Sequence, residues 1–215
     1  RKPADAIQHF QKAIEQGAPG NRNFSHFVRY NLAKAQFESG QNAEAEKSLS
    51  AIDPQILDKD NQFKLHLLKA SVLGRRGLPY EGAREILLAA RLQDSTKLQE
   101  SRAVVLSPLE ALLKDIKGTA PLDNLYRDFE DSPFLDHVLL RLASQELDAG
   151  ETARAEIHLQ TLMVRFPKSE LFAQAQNLSR AKENSAPADP AAVGVLLPLK
   201  GKFAKFGNRN LHEIG

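Results

Sequence analysis

Six histidines, His9, His26, His66, His137, His158 and His212, are the side chains of this 215-residue chain best suited to metal or proton chemistry. None stands four residues from another and no His-Glu-x-x-His pair occurs, so no single helix face offers two zinc ligands. They read as surface or packing histidines. Cysteine is absent, which removes thiolate nucleophiles, thiolate metal sites and a disulfide framework together. The chain also lacks the Gly-x-Ser-x-Gly elbow of acyl transfer, the Gly-x-x-x-x-Gly-Lys-Ser/Thr phosphate loop and the Gly-x-Gly-x-x-Gly dinucleotide fingerprint. Carboxylate pairs such as Asp128/Asp131 and Glu44/Glu46 have the residue types for acid–base work. On helices, however, such pairs are usually solvated or capping. No catalytic residue, metal or cofactor is expected, and the chain reads as a binding protein rather than an enzyme.

Charge and composition narrow the partners. Lys and Arg number 29 against 27 Asp and Glu, a net charge of +2, far from the basic excess of a nucleic-acid binder. A hydrophobic content of 42% supports a folded core. No apolar run approaches the roughly 18 residues that a membrane helix needs, so membrane attachment is expected only through a lipid anchor outside this chain. The chain opens at Arg1 with neither an initiator Met nor a charged-then-apolar leader, which reads as a processed or engineered piece of something longer. Near-neutral charge and the lack of a heptad seam lead to the expectation of a monomer.

The elements that would carry a binding surface come from an internal repeat. The series Ala6, Phe10, Ala13 recurs as Ala45, Leu49, Ile52, as Ala83, Leu87, Ala90 and as Ala155, Leu159, Leu162. The lead positions lie 39, 38 and 72 residues apart, so a degenerate copy is expected at Leu122, Tyr126 and Phe129, ahead of Pro133. Each full copy follows a second amphipathic segment, over 30–38, 65–73 or 139–147, and a turn carrying Gly40, Gly77 or Gly150. This is a helix, Gly turn, helix unit. A hairpin of that kind completes its core only by stacking on like neighbours, so a period near 36 predicts an all-α, right-handed α-solenoid over residues 1–180, irregular across 96–133. Residues 6–14 read as the second helix of a unit whose first helix is missing.

These positions resemble the tetratricopeptide repeat. The copy over 136–167 matches at Leu139, Leu142, Ala143, Gly150, Ala155, Leu159, Leu162 and Pro167, with Glu146 where that pattern has a large aromatic. The resemblance implies that the first helix of each hairpin lines a partner groove through Phe27, Tyr30, Lys34 and Phe37, then Leu65, Leu68, Val72, Arg75 and Arg76, then His137, Leu140, Ser144 and Leu147. Two readings stay open for the aromatic stripe of Phe27, Tyr30 and Phe37: a peptide groove, or packing beneath N-terminal helices. Lys34, Arg75 and Arg76 either meet an acidic segment or complement helix carboxyl termini.

After Arg180 the pattern ends. Residues 181–192, with Pro187 and Pro190, read as a linker. The apolar run 193–197 then reads as a buried strand opening an incomplete α/β domain over 193–215. Residues 193–207 resemble the start of type I periplasmic binding-protein domains. That resemblance implies a ligand-cleft loop through Leu199, Lys200, Gly201 and Phe206, although Gly201 and Gly207 also suit the turn and helix packing alone. Helical repeats followed by this strand resemble the penicillin-binding protein activators, a family of outer-membrane lipoproteins. The resemblance implies a periplasmic interaction and spacer domain, anchored to the outer membrane in its parent, whose protein partner is a peptidoglycan-synthesising penicillin-binding protein. A small-solute receptor whose repeats recruit a partner, and a general assembly scaffold, are the alternatives.

Overall fold

The computed structural model describes residues 3–17 and 22–185, and every regular element among them is helical. The helices are α1 (Pro3–Gln16), α2 (Arg22–Glu38), α3 (Asn42–Ser50), α4 (Lys59–Arg75), α5 (Pro79–Arg91), α6 (Ser95–Asp115), α7 (Thr119–Asp128), α8 (Leu135–Asp148), α9 (Thr152–Arg165) and α10 (Phe172–Ser185). A single 3₁₀ turn, Pro54–Ile56, joins α3 to α4 among the described residues. The chain divides into two compact units, Arg1–Ser179 and Arg180–Gly215. The expected linker over 181–192 begins inside α10, which runs on to Ser185. The expected strand over 193–197 and the loop residues Leu199, Lys200, Gly201 and Phe206 lie outside the described residues.

Three turns close in one way. Gly40, Gly77 and Gly150 take φ of 78°, 73° and 78°, a left-handed conformation that costs glycine nothing. In each case the next amide reaches back to the helix: Gln41 N–H donates to the Gln36 carbonyl (2.8 Å), Leu78 to Leu73 (3.0 Å) and Glu151 to Glu146 (2.8 Å). This is the Schellman closure, which satisfies carbonyls that the helix end leaves open. The hairpins α2/α3, α4/α5 and α8/α9 follow from it, and each pair packs together closely.

The fourth unit closes differently. α6 runs 21 residues with Pro108 inside it, and the chain leaves it through an extended Ile116 before Gly118, at φ 82°, caps α7. α6 packs chiefly on α5 and α7 chiefly on α8, so this pair is not a tight hairpin. Two side chains of α8 take over the missing closure: Arg141 donates to the Leu113 and Lys114 carbonyls (3.0 Å each) and Gln145 to that of Ile116 (2.6 Å). The irregularity expected across 96–133 thus has a chemical form.

Helices also pack on the next but one, α2 on α4, α4 on α6, α6 on α8 and α5 on α7. Residues of the repeated series are fully buried in α3, α5 and α9: Ala45, Leu49, Ala83, Leu87, Ala90, Ala155, Leu159 and Leu162 are at most 1% exposed. In the degenerate copy Leu122 and Phe129 are buried too, and Tyr126 packs against the same core. α1 covers Leu32 and Ala35 on one side of α2 with Ile7, while Ala33 joins Ala45, Leu49, Leu65 and Val72 on the other. α8 is enclosed almost all round, from Leu135 to Glu146.

Candidate functional site

A departure from a closed core lies where α2 meets α4. The α3–α4 connection detours there: Asp53 caps the 3₁₀ turn by accepting from Gln55 N–H (3.0 Å), and Asp58 caps α4 by accepting from Asn61 N–H and Nδ2 (2.8 Å each). The detour places Ile56 and Leu57 opposite α2 in the lining of one hollow. A cleft of about 360 Å³ results, walled by His26, Phe27, Tyr30 and Asn31 of α2, floored by Ile52, Ile56 and Leu57, and closed by Asp58, Asn61 and Lys64.

The side chains in it are unevenly satisfied. Phe27 is 66% exposed although it is a large apolar residue, and burying it is worth about 1.5–3 kcal/mol. Tyr30 is half-buried against the core of the second hairpin, and burial pushes its phenol above the ordinary range. His26 has its Nδ1 shielded from solvent without a hydrogen-bond partner. The carboxylate of Asp58 is occupied by the α4 cap, whereas Lys64 at the mouth and Lys34, one turn beyond Tyr30, are exposed and take part in none of the described ion pairs. The cleft is therefore apolar in its wall and floor, with the Asp58 carboxylate and the Lys64 ammonium both at its mouth.

The sequence-derived groove residues separate into three groups. Phe27 and Tyr30 line the cleft and Lys34 stands beside it on the same helix face. Phe37, Arg75 and Arg76 do not line it: Arg75 stacks on the Phe37 ring and donates to the Phe37 carbonyl (3.2 Å), while Arg76 pairs with Glu46 of α3. Arg75 thus meets a carbonyl at the carboxyl end of α2, whereas Arg76 meets a side-chain carboxylate within α3. Leu65 and Val72 were expected to face a partner; both are 0% exposed, because α4 turns that stripe into the core it shares with α2 and α3.

His137 requires a similar correction. It is 5% exposed beneath α6 and the α9–α10 connection, with Nδ1 3.3 Å from Glu110 and Nε2 3.9 Å from both Asp136 and Glu170. It forms the floor of a shallow depression of about 300 Å³ with Leu140 and Ser144 rather than an exposed groove contact. The aromatic stripe is also split: Tyr30 and Phe37 pack on the core, and Phe27 stays open.

Sequence reasoning missed His26, Ile56, Leu57, Asn61 and Lys64. The one available signal was the irregular Asp53-Pro54 and Asp58 capping positions, which lengthen the α3–α4 connection. Among the described residues no group of three His, Asp or Glu is placed to hold a metal ion, and no helix is long and apolar enough to cross a membrane. No protein-family model, curated protein or solved structure matches the chain.

Proposed function

We propose that this chain is a non-enzymatic protein-interaction and spacer module, a right-handed solenoid of tetratricopeptide-like hairpins. Three identically closed Gly turns and next-but-one helix packing support the solenoid reading, since each hairpin gains its core from its neighbours. The observation that carries the binding role is the open cleft at α2/α4, with Phe27 exposed over it. An exposed large aromatic beside an apolar hollow marks a recognition surface.

The order of segments, helical repeats and then the residues 193–207 that resemble the opening of a periplasmic binding-protein domain, supports assignment to an envelope lipoprotein that activates a peptidoglycan-synthesising penicillin-binding protein. In this reading the helical stack sits in the periplasm below a lipid anchor outside this chain. It holds the downstream domain at a set distance and biases the synthase toward its active state through differential contacts. The test is interferometry of the purified chain and its full-length parent against a purified bifunctional synthase, with glycan polymerisation measured in parallel. Binding by either protein with a faster polymerisation rate for the parent is the expected result. No binding and no rate change with both would overturn the reading.

A further inference from the structure

The joint between α6 and α7 is built differently on its two sides. On one side α5 meets α7 in a closed contact: Arg91, at the end of α5, lies 4.4 Å over the buried Phe129 ring, donates to the Asp128 carbonyl (2.6 Å) and pairs with Asp131. On the other side α6 meets α8 across the depression of about 300 Å³ that His137 floors, with Glu110, Leu113, Leu140 and Ser144 in its lining.

A polar row bridges that depression. His137, Arg141 and Gln145 stand at i, i+4 and i+8 of α8, one stripe of that helix. Their partners advance along α6 in the same order. Glu110 lies 3.3 Å from His137 Nδ1, the Leu113 and Lys114 carbonyls accept from Arg141 (3.0 Å each), and the Ile116 carbonyl accepts from Gln145 (2.6 Å). Bonds of this kind exchange for water at a small net cost, whereas parting an apolar contact gives up its whole burial.

The chain crosses the joint through Ile116, in extended backbone, and through Gly118 at φ 82°. Lys117 and Gly118 are exposed, and a Cβ at Gly118 would meet nothing within 4 Å. Non-helical residues with free space, placed between two helices, are where a change of backbone angle is absorbed.

We infer that the stack hinges at this joint, with the α5/α7 contact as the pivot and the row of His137, Arg141 and Gln145 as the latch that holds α6 against α8. Opening the row changes the angle between the helices before the joint and those after it, and widens the space between Leu113 and Leu140. This conformational device goes beyond the interaction-module reading and depends on no partner.

The chain has no cysteine, so spin labels are placed in pairs on the full chain. Glu44→Cys with Ala153→Cys, on α3 and α9, spans the joint; Glu44→Cys with Arg84→Cys, on α3 and α5, lies on one side of it, and all three positions are exposed. Dipolar spectroscopy reads both distance distributions with and without Arg141→Ala plus Gln145→Ala. The latch variant is expected to broaden the 44–153 distribution at least about twofold and to leave the 44–84 distribution as it was. Circular dichroism checks that helix content is kept. Should the double change prevent folding, Gln145→Met, which removes one bond and keeps the side chain's length, is measured in the same way, with a smaller broadening again confined to the 44–153 pair. An unchanged 44–153 distribution in a folded variant, or equal broadening of both pairs, would overturn the inference. Neither outcome bears on synthase binding, so the two proposals fail separately.

Discussion

Arg75 lies 4.0 Å above the centroid of the Phe37 ring and donates to the carbonyl of that same residue at 3.2 Å, so one guanidinium joins the ends of α4 and α2. The device recurs. Arg91 at the end of α5 sits 4.4 Å over Phe129 and donates to the Asp128 carbonyl (2.6 Å), and Arg165 at the end of α9 donates to the Glu130 carbonyl (2.7 Å). A planar donor fork that also stacks on a ring suits a helix carboxyl end, where carbonyls are left open and the dipole is negative.

Arg75→Ala is accordingly expected to destabilise the protein by about 1 kcal/mol, from an exposed cation–π contact and one lost hydrogen bond. Arg75→Lys recovers only part of this because an ammonium lacks the fork. Urea unfolding checks it; an unchanged midpoint for Ala would mean that the contact contributes nothing.

Glu146 is 0% exposed and its Oε2 lies 2.7 Å from His158 Nδ1, with Arg154 Nε 3.3 Å from Oε1 and the Tyr126 ring edge-on to His158 at 5.4 Å. Glu146→Ala leaves the buried His158 without its carboxylate, while Arg154 keeps Glu151 (2.7 Å), and is expected to cost about 3 kcal/mol. Replacing both Glu146 and His158 by Leu is expected to cost less than the two single changes together, since an apolar pair needs no partner. A double-mutant cycle by thermal unfolding reads the coupling, and strict additivity would contradict the account.

A Cβ at Gly150 meets nothing within 4 Å, so its only penalty is the backbone at φ 78°. Gly150→Ala should cost about 1 kcal/mol, and Gly150→Asn less, because Asn tolerates this conformation. The same values are expected at Gly40 and Gly77, which share the geometry. Calorimetry of the three Ala variants would refute the equivalence of the turns if their Tm shifts differed widely.

Hydrogen bonding from Arg91 holds the Asp131 carboxyl below the usual carboxylate range, and Lys97 does the same for Asp60. A carboxyl whose folded pKa is depressed contributes stability that is present above its unfolded pKa and is lost as pH falls through the folded one. Stability should therefore decline below about pH 4, with a shallower decline in Asp131→Asn and at high salt, because both pairs are exposed and screened. Urea midpoints measured from neutral to acid pH decide it; an identical acid slope in Asp131→Asn would count against the pair.

Much of this molecule is local. The spacing of Ala45, Leu49 and Ile52, repeated at Ala83 and Ala155, specifies which helix stripe is buried, and Gly40, Gly77 and Gly150 specify where hairpins turn, because periodicity and φ preference act over a few residues. The binding surface was legible only in part. Phe27 and Tyr30 fall on the cleft, yet Leu65, Val72 and His137 share the same nominal first-helix positions and are buried.

That difference comes from neighbours. A first helix packed on both sides, as α8 is, has no free stripe, whereas α2 keeps Phe27 uncovered beside the cleft that the α3–α4 connection helps to line. The closure of α6 by Arg141 and Gln145, and the pairing of Glu146 with His158, likewise join residues distant along the chain. Helix type and hairpin register were decided by the sequence alone, since they depend on residues within a turn or two. Which face stayed open, and which arginines were spent on helix ends, was decided by tertiary packing, since burial depends on what a side chain meets across the stack.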